Sequence, residues 1–295
     1  MTWFEAVVQG IIQGLTEFLP ISSSGHLSLY QYFTGNSGEA GALFSLVLHL
    51  GTLIAVVAAF WGTLWPLIAE GFGMIGALFT GRLDRKHPNE RQKMIYLLAV
   101  SLLPLFGTLV LKDLLQGVAA DNDIVVEGVC FLITGALLLM TDSCVKGHRR
   151  AGQMTYRSAL FIGCVQAIAP LPGLSRSGTT LSAGMLLGLD PVFAVNFSFI
   201  MGIPAVIAAL LIDVKEIVGG TLGLSAPIII LGITVSALFG LLSIWMVRWL
   251  VKEQKLRWFG YYTLILGVLV LAIGIFEMVT DHAVQSAVVA WFQTP

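Results

Sequence analysis

The sequence predicts an all-α integral membrane protein, an inverted-topology repeat with six transmembrane helices and two re-entrant helical hairpins. Three observations predict it. Of the 295 residues, 57% are hydrophobic and 11% are charged, and the mean hydropathy is +0.88, so there are too few charges to cover a soluble surface. Several uncharged runs are long enough to cross a bilayer. Two further apolar runs are broken in the middle by glycine, proline and serine, and these two runs share a sequence pattern.

The predicted spans are the uncharged runs of about 20 residues that a helix needs to cross the hydrocarbon core. They are residues 41–61, 94–111, about 124–143, 191–212, about 226–247 and 258–276. Residues 62–81 are also apolar, but they contain Pro66, Glu70 and several glycines. We interpret them as a helix extension or an interfacial segment, because a further crossing would move the first basic loop to the opposite side.

Charge placement supports this count of crossings. Three connectors are basic: the first holds Arg82, Arg85, Lys86, Arg91 and Lys93, the second Lys146, Arg149, Arg150 and Arg157, and the third Arg248, Lys252, Lys255 and Arg257. The other connectors, which include Asp113 and Asp121, are acidic. Six crossings place the three basic loops on one side, which the positive-inside rule makes cytoplasmic, and both termini then lie outside.

The two broken runs, residues 6–35 and 158–188, indicate an internal duplication. Equivalent residues are separated by 153 positions throughout: Gly10 and Gly163, Gln13 and Gln166, Ser22 and Ser175, Ser24 and Ser177, Gly25 and Gly178. We therefore predict a single membrane domain, 1–295, with repeats over about 6–145 and 158–280. Three crossings in each repeat invert one copy relative to the other. Backbone broken at membrane depth must be buried or line a cavity, so the two tips are expected to meet around a shared site.

The residues of the tips are those that handle phosphate. Gln13 and Glu17 lie four apart and share a helix face, and the next half-helix opens with serines that leave free N–H groups for an anion. The second tip repeats this pattern and adds Arg176, whose guanidinium can grip phosphate oxygens. Glu17 and Arg176 are the only charges in the cores of their hairpins, and ionisable residues at membrane depth are functional by default.

Simpler interpretations remain open at this point. The serines could merely cap helices, Gln13 could bond to a neighbouring helix, and Glu17 and Arg176 could form a structural ion pair. His49, in the middle of a span, is interpreted as a packing or hydrogen-bonding residue. The three cysteines, Cys130, Cys144 and Cys164, lie in or at the ends of apolar segments, have no metal-ligand spacing and are interpreted as packing residues. A net charge of −1 gives no reason to expect nucleic acid.

The tips, Q-G-L-T-E-F-L-P-I-S-S-S-G-H at 13–26 and P-G-L-S-R-S-G-T-T at 172–180, closely resemble those of the bacitracin-resistance family of undecaprenyl pyrophosphate phosphatases. The likeness extends over nearly the whole chain, including L-H-L-G-T-L-I-A-V at 48–56 and F-S-F-I-M-G-I-P at 197–204. It implies removal of the terminal phosphate from undecaprenyl pyrophosphate, which regenerates the lipid carrier for peptidoglycan and other envelope glycans. It also implies a multi-pass protein of the bacterial inner membrane, with its active site facing the periplasm or cell exterior.

The resemblance also implies roles for individual residues. The implied catalytic residues are Glu17, Ser23, His26 and Arg176, with Ser23 at the position of the nucleophile. The expected phosphate ligands are Ser22, Ser175, Arg176, Ser177 and Thr180. The family's divalent ion, Mg²⁺ or Ca²⁺, would be held by Glu17 and Gln13. Because Gln13 stands at the family's first acidic position, Glu17 is the one sure anionic ligand, and substrate phosphates and water would complete the coordination.

Three questions stay open on the sequence alone. The nucleophile could be Ser23, His26 or water. Inverted repeats with broken helices are also typical of a secondary transporter or polyprenyl-phosphate flippase, which needs a binding site but no nucleophile. A homodimer is the third open point, beside the expected partners, a polyprenyl pyrophosphate lipid and the membrane.

Overall fold

The computed structural model describes residues 1–36, 39–81, 84, 87–110, 123–144, 147–219, 225–253 and 255–293. Within them the chain is helical, apart from one isolated β-bridge between Arg149 and Leu189. The helices are α1 Trp3–Phe18, α2 Ser23–Thr34, α3 Glu39–Phe79, α4 Glu90–Leu102, α5 Leu105–Val110, α6 Val125–Asp142, α7 Tyr156–Ala167, α8 Arg176–Leu186, α9 Pro191–Gly219, α10 Ala226–Lys252, α11 Leu256–Thr280 and α12 Ala283–Gln293, with a 3₁₀ turn at Ala151–Gln153. Part of the predicted topology rests on residues outside these ranges, namely Arg82, Arg85, Lys86, Asp113, Asp121 and Lys146.

Five of the described helices are long and apolar enough to cross a membrane: α3, α6, α9, α10 and α11. The sixth predicted span, 94–111, is not one continuous helix. It is divided between α4 and α5 at Leu103 and Pro104, because proline lacks the N–H for a helical hydrogen bond; residue 111 lies outside the described ranges. The chain is therefore an all-helical multi-pass membrane protein, and the count of six spans stays a prediction.

Residues 62–79 continue α3 without a break, as the helix-extension interpretation expects. The helix passes through Pro66 and ends at Phe79. A side chain added at Gly62, Gly71 or Gly73 would meet no other atom within 4 Å. These glycines therefore face open space, while Glu70 of the same extension accepts hydrogen bonds from the Asn89 and Gln92 side chains at 3.0 and 2.8 Å.

The two broken runs each form two helices joined by a short loop, as the sequence predicts. The first is α1 and α2; α1 ends at Phe18, two residues before Pro20, and the Ser22 side chain caps α2. The second is α7 and α8, and the Ser175 side chain caps α8. Each loop therefore ends at a serine that begins the next helix.

Glycines hold the neighbouring helices close to these hairpins. On α1, a Cβ at Gly14 would lie 2.6 Å from the Ser236 carbonyl oxygen of α10, and on α7 a Cβ at Gly163 would lie 2.1 Å from the Ser101 carbonyl oxygen of α4. Such close approach is typical of membrane helices that pack through small residues. Since lipid supplies no hydrophobic force between helices, these contacts fix where the arms of the hairpins stand.

An aromatic cluster lies just beneath the first tip. The ring centroid of Phe199 is 5.2 Å from that of Phe18 and 6.0 Å from that of Phe60. Edge-to-face contacts of this kind favour one relative orientation of the rings. The cluster therefore ties the end of α1 to α3 and α9, immediately next to Glu17.

Candidate active site

The two tips meet closely within the helical bundle. A Cβ on Gly25 would lie 2.7 Å from the Gly173 Cα, and a Cβ on Gly178 would lie 3.3 Å from the Pro20 Cβ. Only glycine permits the first of these contacts, because something must shift when atoms approach under 3.0 Å. The close approach brings the serines of one tip next to the arginine of the other.

Both tips are built with the same hydrogen bonds. The Gly25 N–H donates to the Ser22 Oγ at 3.3 Å, and the Gly178 N–H donates to the Ser175 Oγ at 3.0 Å. These bonds cap the starts of α2 and α8, as the capping interpretation expects. Ser22 differs from Ser175 in its backbone, since its φ of 72° lies in the left-handed region, where a residue with a Cβ is strained.

The Glu17 carboxylate is the centre of the site. It is buried and forms an ion pair with the Arg176 guanidinium. The Ser23 hydroxyl donates to Glu17 Oε2 at 2.6 Å, and the Gln13 amide donates to the same oxygen at 3.0 Å. The structure thus brings together Gln13, Glu17, Ser23 and Arg176, although they come from α1, α2 and α8. A serine hydroxyl bonded to a carboxylate is poised to lose its proton to that carboxylate.

His49 belongs to the same cluster, which the sequence interpretation missed. Its Nδ1 lies 2.8 Å from the Ser45 carbonyl oxygen, so the hydrogen-bonding interpretation is right for one nitrogen. Its Nε2 lies 3.7 Å from Glu17 Oε2. The sequence contained a signal for this role, because an ionisable side chain in the middle of an apolar span usually has a function.

A cavity of about 690 Å³ opens onto this cluster. One part of its wall is polar and consists of Thr16, Glu17, Ser22, Ser23, Ser24, His49, Gln166, Ser175 and Arg176. The other part is mainly apolar and comes from α5 and α9, with Leu105, Phe106, Pro204, Ala208 and Ile212. A ligand with a charged head and a hydrocarbon tail fits such a division.

Three of the predicted site residues form hydrogen bonds to other groups of the protein and do not face the cavity. The Ser177 hydroxyl donates to the Leu19 carbonyl, and the Thr180 hydroxyl bonds to the Arg176 carbonyl and to Ser198. His26 Nε2 is 2.8 Å from the Tyr262 hydroxyl oxygen. None of Ser177, Thr180 and His26 lines the cavity as it is described, so their predicted roles stay predictions.

Gln166 is a cavity residue that sequence reasoning noted only as the counterpart of Gln13. It is 2% exposed, and neither polar atom of its amide has a hydrogen-bond partner among the described residues. An unpaired buried amide costs about 1–3 kcal/mol. Its place in the duplication was the signal that could have marked it.

The residues beside Glu17 fit a hard cation with oxygen ligands. The described residues hold no cluster of three or more His, Cys, Asp and Glu side chains. However, Gln13 Oε1 is buried and has no partner among them, although the same side chain touches Glu17. The Gln13 amide nitrogen faces Glu17 in this structure; with the amide turned over, its oxygen and the carboxylate would form a donor pair that Mg²⁺ and Ca²⁺ accept. Glu17 and Gln13 are therefore the residues that would hold such an ion.

Taken together, these helices and side chains define a multi-pass membrane protein in which a cluster of charged and hydroxyl side chains lines one part of a mainly apolar cavity. Comparison with known families gives the particular assignment. The chain belongs to the family described as bacitracin resistance protein BacA, whose sequence profile matches residues 6–269. The match covers both tips and every helix that contributes to the cavity.

Proteins named undecaprenyl-diphosphatase are similar to this chain over nearly its whole length. One from Methanosphaera stadtmanae is 36% identical over 276 residues, which cover 92% of this chain and 97% of that protein. One from Alkaliphilus metalliredigens is 34% identical over 274 residues, 92% of this chain and 98% of that protein. One from Treponema denticola is 35% identical over 267 residues, 90% of this chain and 96% of that protein.

Proposed function

We propose that this protein hydrolyses undecaprenyl pyrophosphate to undecaprenyl phosphate and inorganic phosphate, and so recycles the lipid carrier for peptidoglycan and envelope glycan synthesis. The observation that carries the proposal is the 2.6 Å hydrogen bond from the Ser23 hydroxyl to Glu17, beside Arg176, at the polar end of an otherwise apolar cavity. The names of the similar proteins and the family match support the same activity.

The cavity offers separate places for the two parts of this substrate. The phosphates would lie against Arg176 and the hydroxyls of Ser22 and Ser175, at the starts of α2 and α8, where free N–H groups and the helix dipoles favour anions. The prenyl chain would follow the apolar wall formed by α5 and α9. Because Arg176 already touches Glu17, phosphate bound there lies next to the Ser23 hydroxyl.

In the mechanism that the contacts favour, Ser23 is the nucleophile and Glu17 is its base. As the Ser23 oxygen bonds to the terminal phosphorus, its proton passes to Glu17, and the bond from phosphorus to the bridging oxygen breaks to release undecaprenyl phosphate. Arg176 stabilises the charge on the phosphoryl oxygens. The proton on Glu17 leaves with undecaprenyl phosphate, so that Glu17 is again a carboxylate. It takes a proton from the water that attacks the phosphoserine phosphorus and gives it to the Ser23 oxygen as the bond between that oxygen and phosphorus breaks, and inorganic phosphate leaves.

His26 and water are the alternative nucleophiles, and the contacts favour them less. His26 has both ring nitrogens in hydrogen bonds, to the Ser22 carbonyl and the Tyr262 hydroxyl. A water molecule would have to share Glu17 with the hydrogen bonds that Ser23, Gln13 and Arg176 already donate to it. Ser23 alone has an O–H already directed at a carboxylate oxygen among the three candidates.

We further propose that a divalent cation, Mg²⁺ or Ca²⁺, binds at Glu17 and Gln13. When bound, it would supply positive charge to the phosphate oxygens. The buried, unpartnered Gln13 Oε1 supports this assignment. The direct check is to remove divalent ions with EDTA, which should abolish phosphate release, and then to restore them one at a time.

The inverted repeat and the two re-entrant hairpins form part of the same proposal. The supporting observation is that equivalent helices of the two repeats make equivalent contacts. Helix α1 packs against α10, its counterpart α7 packs against α4, and both tips have the same capping bonds.

We propose that the site opens to the periplasm or cell exterior of a bacterial inner membrane, where the substrate accumulates. Cysteine accessibility at Ser24, which lines the cavity, tests that orientation; a homodimer stays a prediction.

The transporter or flippase alternative is not favoured. Such a protein needs a site that binds phosphate, but it has no use for a serine hydroxyl bonded to a buried carboxylate. On that alternative, Ser23→Ala would leave translocation intact and the wild-type protein would release no phosphate. The similar proteins are all named for the hydrolytic reaction.

The test is phosphate release from undecaprenyl pyrophosphate by purified protein in detergent, with and without EDTA. Wild type is compared with Glu17→Gln, Ser23→Ala and Arg176→Ala, and with Ser158→Ala as a control, since Ser158 bonds only near its own helix start. Ion-dependent release that survives in the control and falls by orders of magnitude in the three variants supports the proposal. Folded wild-type protein that releases no phosphate contradicts it.

A further inference from the structure

The turn before the nucleophile is strained, and something must hold it. Ser22 has φ 72° and ψ 101°, a conformation that costs a residue with a Cβ about 1–3 kcal/mol. Ser23 is the next residue and the first of α2. The conformation of Ser22 therefore decides whether the Ser23 hydroxyl reaches Glu17.

His26 bonds to the carbonyl of this strained residue. Its Nδ1 lies 2.7 Å from the Ser22 carbonyl oxygen, and its backbone N–H is 3.3 Å from the same oxygen. A carbonyl oxygen can only accept, so Nδ1 must carry the hydrogen. Nε2, left as the acceptor of a neutral ring, receives the hydroxyl hydrogen of Tyr262 at 2.8 Å.

The second tip contains the same bond with a different side chain. Thr179 lies 153 positions after His26, and its Oγ1 donates to the Ser175 carbonyl oxygen at 2.8 Å. Its backbone N–H also bonds to that oxygen, at 2.8 Å. Threonine has no basic nitrogen, so at this position of the second tip the bond serves geometry alone.

Tyr262 holds the His26 ring from another part of the chain. The two rings are stacked at 8° with centroids 5.8 Å apart, and Phe131 meets the histidine edge at 5.2 Å. Tyr262 lies on α11, which packs against α6. The ring of His26 is thus fixed on two sides, and both of its nitrogens are used.

From these contacts we infer that His26 is a positioning residue that holds the Ser22 turn, and that Tyr262 is its supporting partner. The inference rests on the proposed roles of Ser23 and Glu17. His26 itself transfers no proton and forms no bond to phosphorus. Position 26 requires a hydrogen-bond donor to the Ser22 carbonyl. A threonine hydroxyl can be that donor, as the Thr179 hydroxyl is for the Ser175 carbonyl.

The experiment compares His26→Thr with His26→Val, two side chains of the same shape that differ in the hydroxyl. We expect His26→Val to lower kcat about 10- to 100-fold with little change in KM, because a small misplacement of a reacting group has an effect of this size. We expect His26→Thr to stay within about 3-fold of wild type, since one neutral hydrogen bond is at stake. If folded His26→Thr is as inactive as His26→Val, the ring nitrogens do chemistry and the inference is wrong.

Tyr262→Phe tests the inference that Tyr262 supports His26. It keeps the ring and removes the hydroxyl, so kcat should fall about 2- to 10-fold. Tyr261→Phe, one residue earlier on the same helix, is the matched control and should match wild type. In the His26→Thr background, Tyr262→Phe should have no further effect, because no ring is left to hold; an additive loss would contradict the pairing.

A readout without turnover separates this inference from the proposed function. The His26→Val protein should unfold at a lower temperature than His26→Thr, whatever reaction the site performs. If wild type releases no phosphate, the proposed function is wrong, but the difference in unfolding temperature between the two variants still shows whether the side chain at position 26 stabilises the Ser22 turn. If the two variants have equal stability and equal kcat, the inference fails while the phosphatase activity of wild type stands.

Discussion

The Glu17 carboxylate and the Arg176 guanidinium form an ion pair between residues 159 positions apart. The side chains are 6% and 22% exposed. Burying two charges is favourable only when they are paired and hydrogen-bonded. The pair therefore joins the two tips and, in the same contact, places the base for Ser23 next to the ligand for phosphate.

Glu17→Gln should lower kcat by about 10²- to 10⁴-fold, the usual contribution of a general base. It should also destabilise the protein, because Arg176 is left as an unpaired, largely buried charge. Arg176→Gln in the same chain should recover part of the lost stability but none of the activity. Thermal unfolding and phosphate release of the two single variants and the double variant measure this, and strictly additive losses of stability would contradict the pairing.

Gly202→Ala should displace Arg176 from the site. A Cβ on Gly202 would lie 1.7 Å from Arg176 Nη1, so the guanidinium must move away from Glu17. We expect kcat/KM to fall about 10- to 100-fold, somewhat less than the loss of a complete charge-stabilising donor. Gly73→Ala on α3, where a Cβ meets nothing within 4 Å, is the matched control. Equal activity of the two variants would show that Arg176 needs no such space.

Gly25→Ala should separate the two tips. Its Cβ would lie 2.6 Å from Phe131 Cζ and 2.7 Å from Gly173 Cα, and the second of these atoms belongs to backbone that cannot turn aside. Overpacking of this kind costs about 1–3 kcal/mol, so the unfolding temperature and kcat should both fall. Gly76→Ala, with open space around it, should leave both unchanged. A Gly25→Ala protein with wild-type turnover would contradict the close contact of the tips.

His49→Asn separates the two contacts of that side chain. Asparagine can keep the donor to the Ser45 carbonyl that Nδ1 supplies, but it loses the Nε2 that faces Glu17. His49→Asn should lower kcat/KM by about 2- to 5-fold, close to His49→Ala, because the contact at 3.7 Å is a long ion pair with a partly exposed partner. If His49→Asn keeps wild-type activity while His49→Ala loses it, His49 acts through packing and not through its contact with Glu17.

The sequence was informative where local chemistry and the duplication agree. Glycine, proline and serine mark the breaks of both hairpins, and the structure confirms helix breaks at Phe18 and Ala167 and caps at Ser22 and Ser175. Hydropathy identified the long helices because a membrane span needs a continuous apolar run. For 94–111, hydropathy gave no sign that Pro104 divides the run between α4 and α5, and this span stays a prediction.

Contacts between distant parts of the chain could not be predicted in this way. Nothing in the local pattern places His49 against Glu17 or Tyr262 against His26, because each pair is formed by packing of separate helices. Likewise, the hydroxyls of Ser177 and Thr180 resemble phosphate ligands in sequence, yet both bond within the protein. Which face of a helix meets the cavity depends on tertiary packing.

The most direct measurement is to stop the reaction of wild-type protein with radiolabelled undecaprenyl pyrophosphate within milliseconds and to locate any phosphoryl group on the protein. If Ser23 is the nucleophile and Glu17 its base, phosphoserine will be found at Ser23 in wild type and will be absent from Ser23→Ala. A phosphoryl group on His26, or no phosphoenzyme together with inversion at a chiral terminal phosphate, would contradict this mechanism.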